Sequence, residues 1–459
     1  MVFASFVFLF WFLPAFLPLY VALPLRWRNL WLTLGSCVFY GWWRPHYVLL
    51  MIGSTLVDYL AARAMGDADS GRRRKVWLWL SVGSNLGLLG WFKYSNLLVA
   101  TWNDTAPWPI AWEQVLLPVG ISFFTFQSMS YTIDVYRGEV KPVRSFLDLL
   151  CFVSMFPQLV AGPIVRYRDV AAEIQQRRTD LVQASDGVFL FAMGFVKKVL
   201  IADQVAPLVA ATFGQSEPGL LAAWLGALGY TVQIYFDFSG YSDMAIGLGL
   251  LLGFHFPSNF LSPYRAHSIT EFWRRWHVSL STWLRDYLYV PLGGNRKGHL
   301  RTYANLAATM LLGGLWHGAQ WTFLLWGAWQ GLFLILERRF GKLAPYGVLP
   351  MPLQVLCTFV VVVFGWVIFK AANVHELWAM WSGMLGAHGL GAVPALGHRA
   401  PLAFGALLLG LLVAFALPRS ELLVQRFHPL CMLGVLVLFL LATGQLLATD
   451  FVPFLYFQF

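Results

Sequence analysis

Two histidines in apolar surroundings are the residues of this chain best suited to chemistry. His317 lies in the run Leu311-Leu-Gly-Gly-Leu-Trp-His-Gly-Ala-Gln-Trp-Thr-Phe-Leu-Leu-Trp326. An ionisable side chain is costly at membrane depth and usually faces a polar cavity. His277 lies in the run Glu271-Phe-Trp-Arg-Arg-Trp-His-Val-Ser-Leu-Ser-Thr-Trp-Leu-Arg-Asp-Tyr287, which is rich in tryptophan and arginine. A histidine base beside aromatic and cationic groups suits the attack of a hydroxyl on an activated acyl group.

The residues around these histidines predict a pocket that binds the acyl donor. We expect the glycines at 313, 314 and 318 to leave space beside the imidazole of His317, and Trp316 and Trp321 to close that space. The candidates for substrate or donor binding are Trp273, Arg274, Arg275, Trp276, Arg285, Trp316, Asp237 and Asp243. Two alternatives stay open at this point: a helix lying in the membrane interface with snorkelling arginines, and a packing role for His277.

Two carboxylates form a further candidate site in Ile234-Tyr-Phe-Asp-Phe-Ser-Gly-Tyr-Ser-Asp-Met-Ala245. Asp237 and Asp243 are six residues apart, too far to be one-turn neighbours on a continuous helix. We expect Gly240 to break the helix so that the carboxylates converge, with arginine or backbone partners in the interior. Neither carboxylate has a metal-ligand partner at an expected spacing, so we expect no metal.

Other catalytic signatures are absent from the sequence. It has no Gly-x-Ser-x-Gly elbow, no Walker loop, no Gly-x-Gly-x-x-Gly after a strand and no His-Glu-x-x-His. The four cysteines are far apart and include no Cys-x-x-Cys pair, which argues against a zinc site or a disulfide framework.

The composition is that of a multi-pass, all-α membrane protein. Of 459 residues, 58% are hydrophobic and only 12% are charged, and the mean hydropathy is +0.63. A soluble domain carries about 25% charged residues. The net charge of +10 is interpreted as contact with the lipid bilayer, because no basic stretch has the aromatic interleaving of a nucleic-acid surface.

Apolar stretches of spanning length recur along the chain and predict one membrane domain over residues 1–459. They include residues 113–135, 218–236, 240–256 and 303–336, and an amphipathic or re-entrant segment is expected at about 263–300. The basic loops alternate with the lysine- and arginine-free loop at 101–109. By the positive-inside rule, the basic loops face the cytoplasm and both termini face the periplasm.

At these motifs the chain resembles the membrane-bound O-acyltransferase (MBOAT) family, in its bacterial polysaccharide O-acetyltransferase branch. The resemblance extends over essentially the whole chain. The runs that carry it are Phe156–Arg166, Tyr235–Asp243, Phe272–Trp283, Gly314–Gly318 and Phe454–Phe459.

The resemblance implies a ring of helices around a central tunnel, with His317 as the catalytic histidine and His277 as a second catalytic residue. It implies acetyl-CoA or another acetyl thioester as a cytosolic donor substrate, and no permanently bound cofactor. His317 would either deprotonate the acceptor hydroxyl or assist transfer through a short-lived acyl intermediate.

The implied function is O-acetylation of an exported polysaccharide from the bacterial inner membrane, with alginate as the first expectation and cellulose as the second. Because no soluble domain follows the membrane segments, we expect periplasmic or membrane-anchored acetyltransferase partners and the polysaccharide synthesis and export machinery. Two alternatives are an acyltransferase of peptidoglycan or teichoic acid, and a proton-coupled transporter using its intramembrane histidine and carboxylates. The absence of an internal repeat argues against the transporter.

Overall fold

A computed structural model describes residues 1–68, 70–341, 346–426, 429–448 and 454–455 of the chain. Within these residues the protein is helical and contains no β-strand, which confirms the all-α class. The helices are α1 (Leu13–Ala22), α2 (Leu25–Gly41), α3 (His46–Gly66), α4 (Gly71–Leu89), α5 (Ser95–Thr105), α6 (Ile121–Arg137), α7 (Phe146–Ser154), α8 (Phe156–Leu159), α9 (Tyr167–Gln175), α10 (Leu181–Val196), α11 (Asp203–Thr212), α12 (Leu220–Leu251), α13 (Ile269–Arg275), α14 (Val278–Leu284), α15 (Gly298–His317), α16 (Trp321–Phe340), α17 (Met351–Lys370), α18 (Val374–Met384), α19 (Ala400–Ala416), α20 (Ser420–Arg426) and α21 (Pro429–Ala448).

The chain forms two compact units. The first comprises residues 1–191 and 244–257, and the second comprises residues 192–243 and 258–459. The single membrane domain expected over residues 1–459 stays a prediction.

In the first unit, buried polar groups join helices that are otherwise apolar. Asp58 on α3 accepts hydrogen bonds from Ser81 Oγ (2.6 Å) and Asn85 Nδ2 (2.9 Å) on α4. Near the end of α9, Arg177 Nε donates to Tyr20 Oη at 2.7 Å. Because an unpaired polar group costs several kcal/mol in an apolar medium, such pairs fix the register of the packed helices.

In the second unit, α15 and α16 form an antiparallel hairpin, and α13 and α17 both pack against α16. The two predicted site histidines and their surroundings lie entirely in this unit. The tight hairpin brings the end of α15 beside the side chains of α16, and this contact positions His317.

Four of the predicted apolar segments differ from the helices that form. Residues 218–236 and 240–256 lie largely on one continuous helix, α12, whereas the single segment expected at 303–336 is divided between α15 and α16. Residues 106–118, which overlap the segment expected at 113–135, have no regular secondary structure. Prolines at 107, 109 and 118 explain this last difference, since each removes a backbone donor.

Three described helical stretches are long and apolar enough to cross a membrane by length and composition: His46–Gly66, Met351–Lys370 and Gly397–Ala416. A spanning helix needs about 20 apolar residues. These stretches confirm that the chain is built as a membrane protein.

Candidate active site

His317 is the last residue of α15 and is buried, with 4% of its surface exposed. Aromatic rings surround its imidazole. The ring centroids of Trp316 and Trp326 each lie 5.1 Å from that of His317, and the centroid of Phe369 lies at 5.3 Å. Trp326 and Phe369 meet the imidazole nearly edge to face, a favoured aromatic geometry. The walls therefore hold the imidazole in one orientation.

The expectation that glycines leave open space beside His317 is wrong for two of them. A Cβ on Gly314 would lie 2.2 Å from the carbonyl oxygen of Phe323, and one on Gly318 would lie 2.0 Å from the Phe323 ring. These glycines instead allow α16 to approach α15 closely. The expected wall at Trp321 is also wrong, because that side chain is exposed at the start of α16 and Trp326 takes its place.

His277 is fully buried at the start of α14 and has a left-handed backbone, with φ of 43° and ψ of 55°. This conformation is uncommon for residues other than glycine and costs about 1–3 kcal/mol, a strain that clusters at functional sites. Nδ1 of His277 lies 3.1 Å from Asn259 Oδ1, and Nε2 has no hydrogen-bond partner among the described residues. Burial lowers the pKa of His277 to about 3, so the imidazole is neutral at physiological pH.

The structure brings the two candidate histidines, His277 and His317, close together. Their ring centroids are 6.4 Å apart, and the ring of Trp316 lies beside both, 6.0 Å from His277 and 5.1 Å from His317. Phe238 on α12 closes another side of His277, with its centroid at 4.7 Å. Two imidazoles therefore share one buried, aromatic-walled space.

Helix α13, which carries Trp273 and Arg274, is fixed at its start by Glu337 of α16. The Glu337 carboxylate accepts hydrogen bonds from the backbone N–H groups of Ile269 (2.6 Å) and Thr270 (2.8 Å), and from Thr270 Oγ1 (2.6 Å). A carboxylate at a helix N-terminus satisfies donors that have no partner within the helix. Glu337 therefore sets the position of the donor-binding candidates on α13.

A cavity of about 880 Å³ lies beside α13 and α14 and is bounded by α15 and α16. Its charged and aromatic lining includes Trp273, Arg274, Arg285 and Arg338. The Trp273 ring lies 5.7 Å from that of Trp326, which contacts His317. An aromatic path therefore joins the cavity wall to the catalytic candidate.

Trp276 and Arg275 do not line this cavity, and Arg285, which does, has an acidic partner of its own. Trp276 is buried in an aromatic cluster, with the ring of Trp366 at 4.7 Å and that of Phe260 at 5.0 Å. Arg275 is ion-paired with Glu271 at 2.6 Å. Arg285 is ion-paired with Asp286 at 2.7 Å while its side chain remains largely exposed. The donor-binding assignments of these residues stay predictions.

The expected convergence of Asp237 and Asp243 is wrong. Helix α12 continues through Gly240, and each carboxylate has its own lysine: Asp237 pairs with Lys198 at 2.7 Å and Asp243 with Lys197 at 2.6 Å. A Cβ on Gly240 would lie 2.6 Å from the carbonyl oxygen of residue 194. This glycine therefore permits a close helix contact instead of a break.

Both carboxylates also tie distant segments to α12. Ser420 Oγ donates to Asp243 Oδ2 at 2.7 Å, and the backbone N–H of Leu455 donates to Asp237 Oδ2 at 2.8 Å. The charged partners are lysines instead of the expected arginines, whereas a backbone partner was correctly expected. Within the closing run Phe454–Phe459, residues 456–459 lie outside the described residues.

Three contributors to the site were missed by sequence reasoning: Asn259, Trp326 and Glu337. Asn259 is 18 residues from His277 and lies outside every motif considered. Trp326 was quoted only as the end of an apolar run, and Glu337 lies beside arginines in an apparent basic turn. Only Glu337 had a signal in the sequence: it is a carboxylate that follows apolar residues and precedes two arginines.

The fold and the site define a helical membrane protein with a buried histidine pair next to a cation-lined cavity. Residues 135–375 match the family model described as MBOAT, membrane-bound O-acyltransferase family. The chain belongs to this family, and it is an acyltransferase.

The chain is similar to curated relatives whose names refer to three different polymers. It is 50% identical to a probable alginate O-acetylase of Pseudomonas aeruginosa, over 84% of this chain and 75% of that protein. It is 36% identical to a peptidoglycan O-acetyltransferase of Helicobacter pylori, over 84% of this chain and 80% of that protein. It is 29% identical to a teichoic acid D-alanyltransferase of Bacillus subtilis, over 56% of this chain and 70% of that protein.

Proposed function

We propose that this protein transfers acetyl groups from a cytosolic thioester for the O-acetylation of an exported polysaccharide, with alginate as the first choice and cellulose as the second. The observation that carries the proposal is the buried His277–His317 pair beside a large cavity with arginine in its wall. The 50% identity to a probable alginate O-acetylase supports alginate over the peptidoglycan and teichoic acid alternatives.

His317 acts as the general base in the proposed reaction. It takes the proton of the acceptor hydroxyl while the hydroxyl oxygen attacks the thioester carbonyl carbon. The new C–O bond replaces the C–S bond, and the sulfur leaves as a thiol after it receives the proton from His317. General-base assistance of this kind contributes about 10²–10⁴-fold to the rate.

The donor is acetyl-CoA or another acetyl thioester, with no permanently bound cofactor. A CoA-type donor carries phosphates, and Arg274, Arg285 and Arg338 in the 880 Å³ cavity are suitable cationic partners. Arg274 also lines a neighbouring cavity of about 470 Å³ together with Arg265 and Arg419. The excess of arginine over acidic residues favours an anionic donor at this entrance.

The acceptor is reached from the other side of the bacterial inner membrane, with both termini in the periplasm. The partners are periplasmic or membrane-anchored acetyltransferase proteins and the polysaccharide synthesis and export machinery. This assignment rests on the basic loops, on the family and on the names of the relatives.

To test the proposal, purified protein in liposomes is supplied with a polysaccharide acceptor and with acetyl-CoA that is labelled in its acetyl group. We expect release of free CoA and label in ester linkage on the acceptor, and a much slower reaction for His317→Ala. A proton-coupled transporter would leave the thioester intact, which would contradict the proposal. Alginate, cellulose and peptidoglycan fragments offered in parallel distinguish the acceptors.

Two neighbouring arginines of α16 provide a test variant and a matched control for the donor site. Both arginines are exposed, but Arg338 lines the cavity, whereas Arg339 does not line it and lies over the Phe340 ring. Arg338→Glu is expected to raise the KM for acetyl-CoA several-fold, and Arg339→Glu is expected to leave it near the wild-type value. Equal KM values for both variants would place the donor phosphates elsewhere.

A further inference from the structure

The turn that carries His277 is joined to the buried residue Asn259 by four hydrogen bonds. The carbonyl oxygen of Asn259 accepts from the N–H of Val278 at 3.0 Å. Its side-chain oxygen, Oδ1, accepts from the N–H of Ser279 at 3.3 Å and from Ser279 Oγ at 3.0 Å, and it lies 3.1 Å from Nδ1 of His277. One side chain therefore fixes both the unusual backbone of the turn and one edge of the imidazole.

The orientation of the Asn259 amide is fixed by its neighbours. The N–H of Ser279 can only donate, so the atom of Asn259 that faces it must be the oxygen. On its other side the Asn259 amide nitrogen donates to Ser242 Oγ at 3.0 Å. A flipped amide would place an NH₂ group against a backbone N–H, which excludes it.

The amide orientation in turn determines the tautomer of His277. Asn259 Oδ1, 3.1 Å from Nδ1 of His277, can only accept a hydrogen bond. Ser279 Oγ lies 3.5 Å from Nδ1 but donates its hydrogen to the same Asn259 oxygen, so Nδ1 carries a hydrogen and donates it to Oδ1. A neutral imidazole has one N–H, so Nε2 is then unprotonated and presents a lone pair. Nε2 is buried and has no partner within the described part of the chain.

A buried acceptor without a protein partner is satisfied by an ordered water or by a donor group of a bound ligand. The described aromatic rings that contact the His277 ring are those of Phe238, Trp316 and His317. The rings of His277 and His317, with centroids 6.4 Å apart, are too far apart for a direct N–H···N hydrogen bond. A hydrogen-bond donor of the bound substrate can supply the hydrogen bond that Nε2 of His277 lacks.

We propose that Asn259 is a positioning residue, which holds His277 as the Nδ1–H tautomer so that the bare Nε2 accepts a hydrogen bond from the bound substrate. The substrate group is a neutral hydrogen-bond donor, either a hydroxyl of the acceptor or an amide N–H of the thioester's pantetheine arm. The substrate part of this inference rests on the proposed acetyl transfer, whereas the tautomer does not.

The tautomer can be measured directly in the resting protein. Protein labelled with ¹⁵N-histidine in lipid bilayers gives separate nitrogen resonances for the two neutral tautomers, and the His277→Asn spectrum identifies the signal of His277. We expect the Nδ1–H form. An Nε2–H or a doubly protonated ring would overturn the proposal, and this result does not depend on any turnover.

Two variants then separate positioning from general stability. Asn259→Leu removes the acceptor at similar volume, and we expect the His277 signal to shift towards the Nε2–H form while acetyl transfer falls at least tenfold. Ser242→Ala removes a partner of Asn259 but leaves Oδ1 in place, and we expect it to keep the Nδ1–H form. An unchanged tautomer and rate in folded Asn259→Leu would overturn the role of Asn259.

The KM values for the two substrates identify the substrate group that contacts Nε2. A hydroxyl contact predicts that Asn259→Leu raises the KM for the acceptor, and a pantetheine contact predicts that it raises the KM for acetyl-CoA. Unchanged values for both substrates, with an unchanged kcat, would refute the hydrogen bond from Nε2. If Asn259→Leu does not fold, the wild-type tautomer and the Asn259→Asp variant, which keeps an oxygen facing Nδ1, still test the proposal.

Discussion

At the scale of single residues, the surroundings of the two histidines predict different roles in the reaction. His317 is enclosed by rings whose contacts orient it, whereas His277 has a hydrogen bond on one nitrogen and an open acceptor on the other. A base must gain a proton during the reaction, and a pKa of about 3 makes His277 a poor proton acceptor near neutral pH. This difference supports the proposal that His317 is the principal base.

His317→Ala is expected to lower acetyl transfer by about 10²–10⁴-fold while the protein still inserts and purifies. The loss of a buried imidazole removes the proton acceptor but leaves the α15–α16 contact at Gly314 intact. The measurement is acetyl transfer by equal amounts of purified protein. Polysaccharide acetylation near the wild-type level in a well-expressed variant would contradict the assignment.

His277 is expected to support catalysis through a hydrogen bond. His277→Asn can preserve one such bond, whereas His277→Ala leaves a partner unpaired at a cost of about 1–3 kcal/mol. The Asn variant should therefore retain more activity than the Ala variant, and His317 variants should be slower than both. Because neutral His277 does not titrate above a pH of about 3, the Asn variant should keep the wild-type pH dependence of kcat/KM. If His277→Asn is as inactive as His317→Ala, the two roles must be merged or exchanged.

The site histidines could be predicted because each is a polar exception inside an apolar motif. Asn259 could not, since its role depends on a chain reversal that brings it back to residues 277–279. The prediction that Trp321 contacts His317 was wrong for a similar reason. Trp321 and Trp326 belong to the same run of sequence, and the rotation of α16 about its axis decides which of them faces His317. The residue types in the motifs indicated the chemistry, whereas the residues that contact the two histidines are determined by the fold.

At the scale of helices, the position of α13 depends on Glu337. Glu337→Gln replaces one acceptor oxygen by an NH₂ group that cannot accept from Ile269 or Thr270. The expected result is a loss of about 1–3 kcal/mol in stability and a raised KM for acetyl-CoA, because α13 carries part of the donor cavity. Thermal unfolding in detergent and steady-state kinetics measure the two effects.

Glu376 offers the matched control for Glu337. Its Oε2 accepts from the N–H of Ala372 at the start of α18, 2.6 Å away, and it does not line the donor cavity. Glu376→Gln should lower thermal stability without changing the KM for acetyl-CoA. A similar rise in KM in both variants would show that the Glu337 effect is general destabilisation.

The close contact of α15 and α16 is expected to tolerate one glycine substitution on α16 and not another. A Cβ on Gly327 would lie 2.4 Å from the carbonyl oxygen of Met310, whereas a Cβ on Gly331 would lie 3.4 Å from the Met310 side chain. Gly327→Ala should therefore cost about 1–3 kcal/mol and displace the hairpin that carries His317. Gly331→Ala should be neutral or stabilising, since alanine favours a helix by about 1 kcal/mol. Equal melting temperatures for the two variants would contradict the close contact.

The helices themselves were only partly predictable from hydropathy. An apolar run of 34 residues at 303–336 does not show where a turn interrupts it, and the turn at Gly318–Gln320 has no proline. Conversely, Gly240 in a polar motif indicated a break, yet the close approach of residue 194 makes glycine necessary in a continuous helix. Tertiary contact, which the sequence does not display, decided both cases.

At the scale of the whole molecule, the distribution of charge predicts that the proposed donor cavity opens on the cytoplasmic side. Arg274, Arg285 and Arg338 line the large cavity, and a thioester such as acetyl-CoA is made in the cytosol. Basic residues near helix ends are retained on the cytoplasmic side during insertion. The cavity and the adjoining loop at Arg296 and Lys297 are therefore expected to face the same compartment.

Single cysteines test this topology in a variant whose four native cysteines are replaced. Arg296→Cys and Lys297→Cys lie in an exposed loop, and Asp104→Cys lies in the exposed stretch without lysine or arginine. An impermeant thiol reagent should label the first two only in inverted vesicles and Asp104→Cys only in intact spheroplasts, because the reagent reaches one face in each preparation. Labelling at 296 or 297 from the periplasmic face would overturn this topology, and the cavity could not be the binding site of a cytosolic thioester.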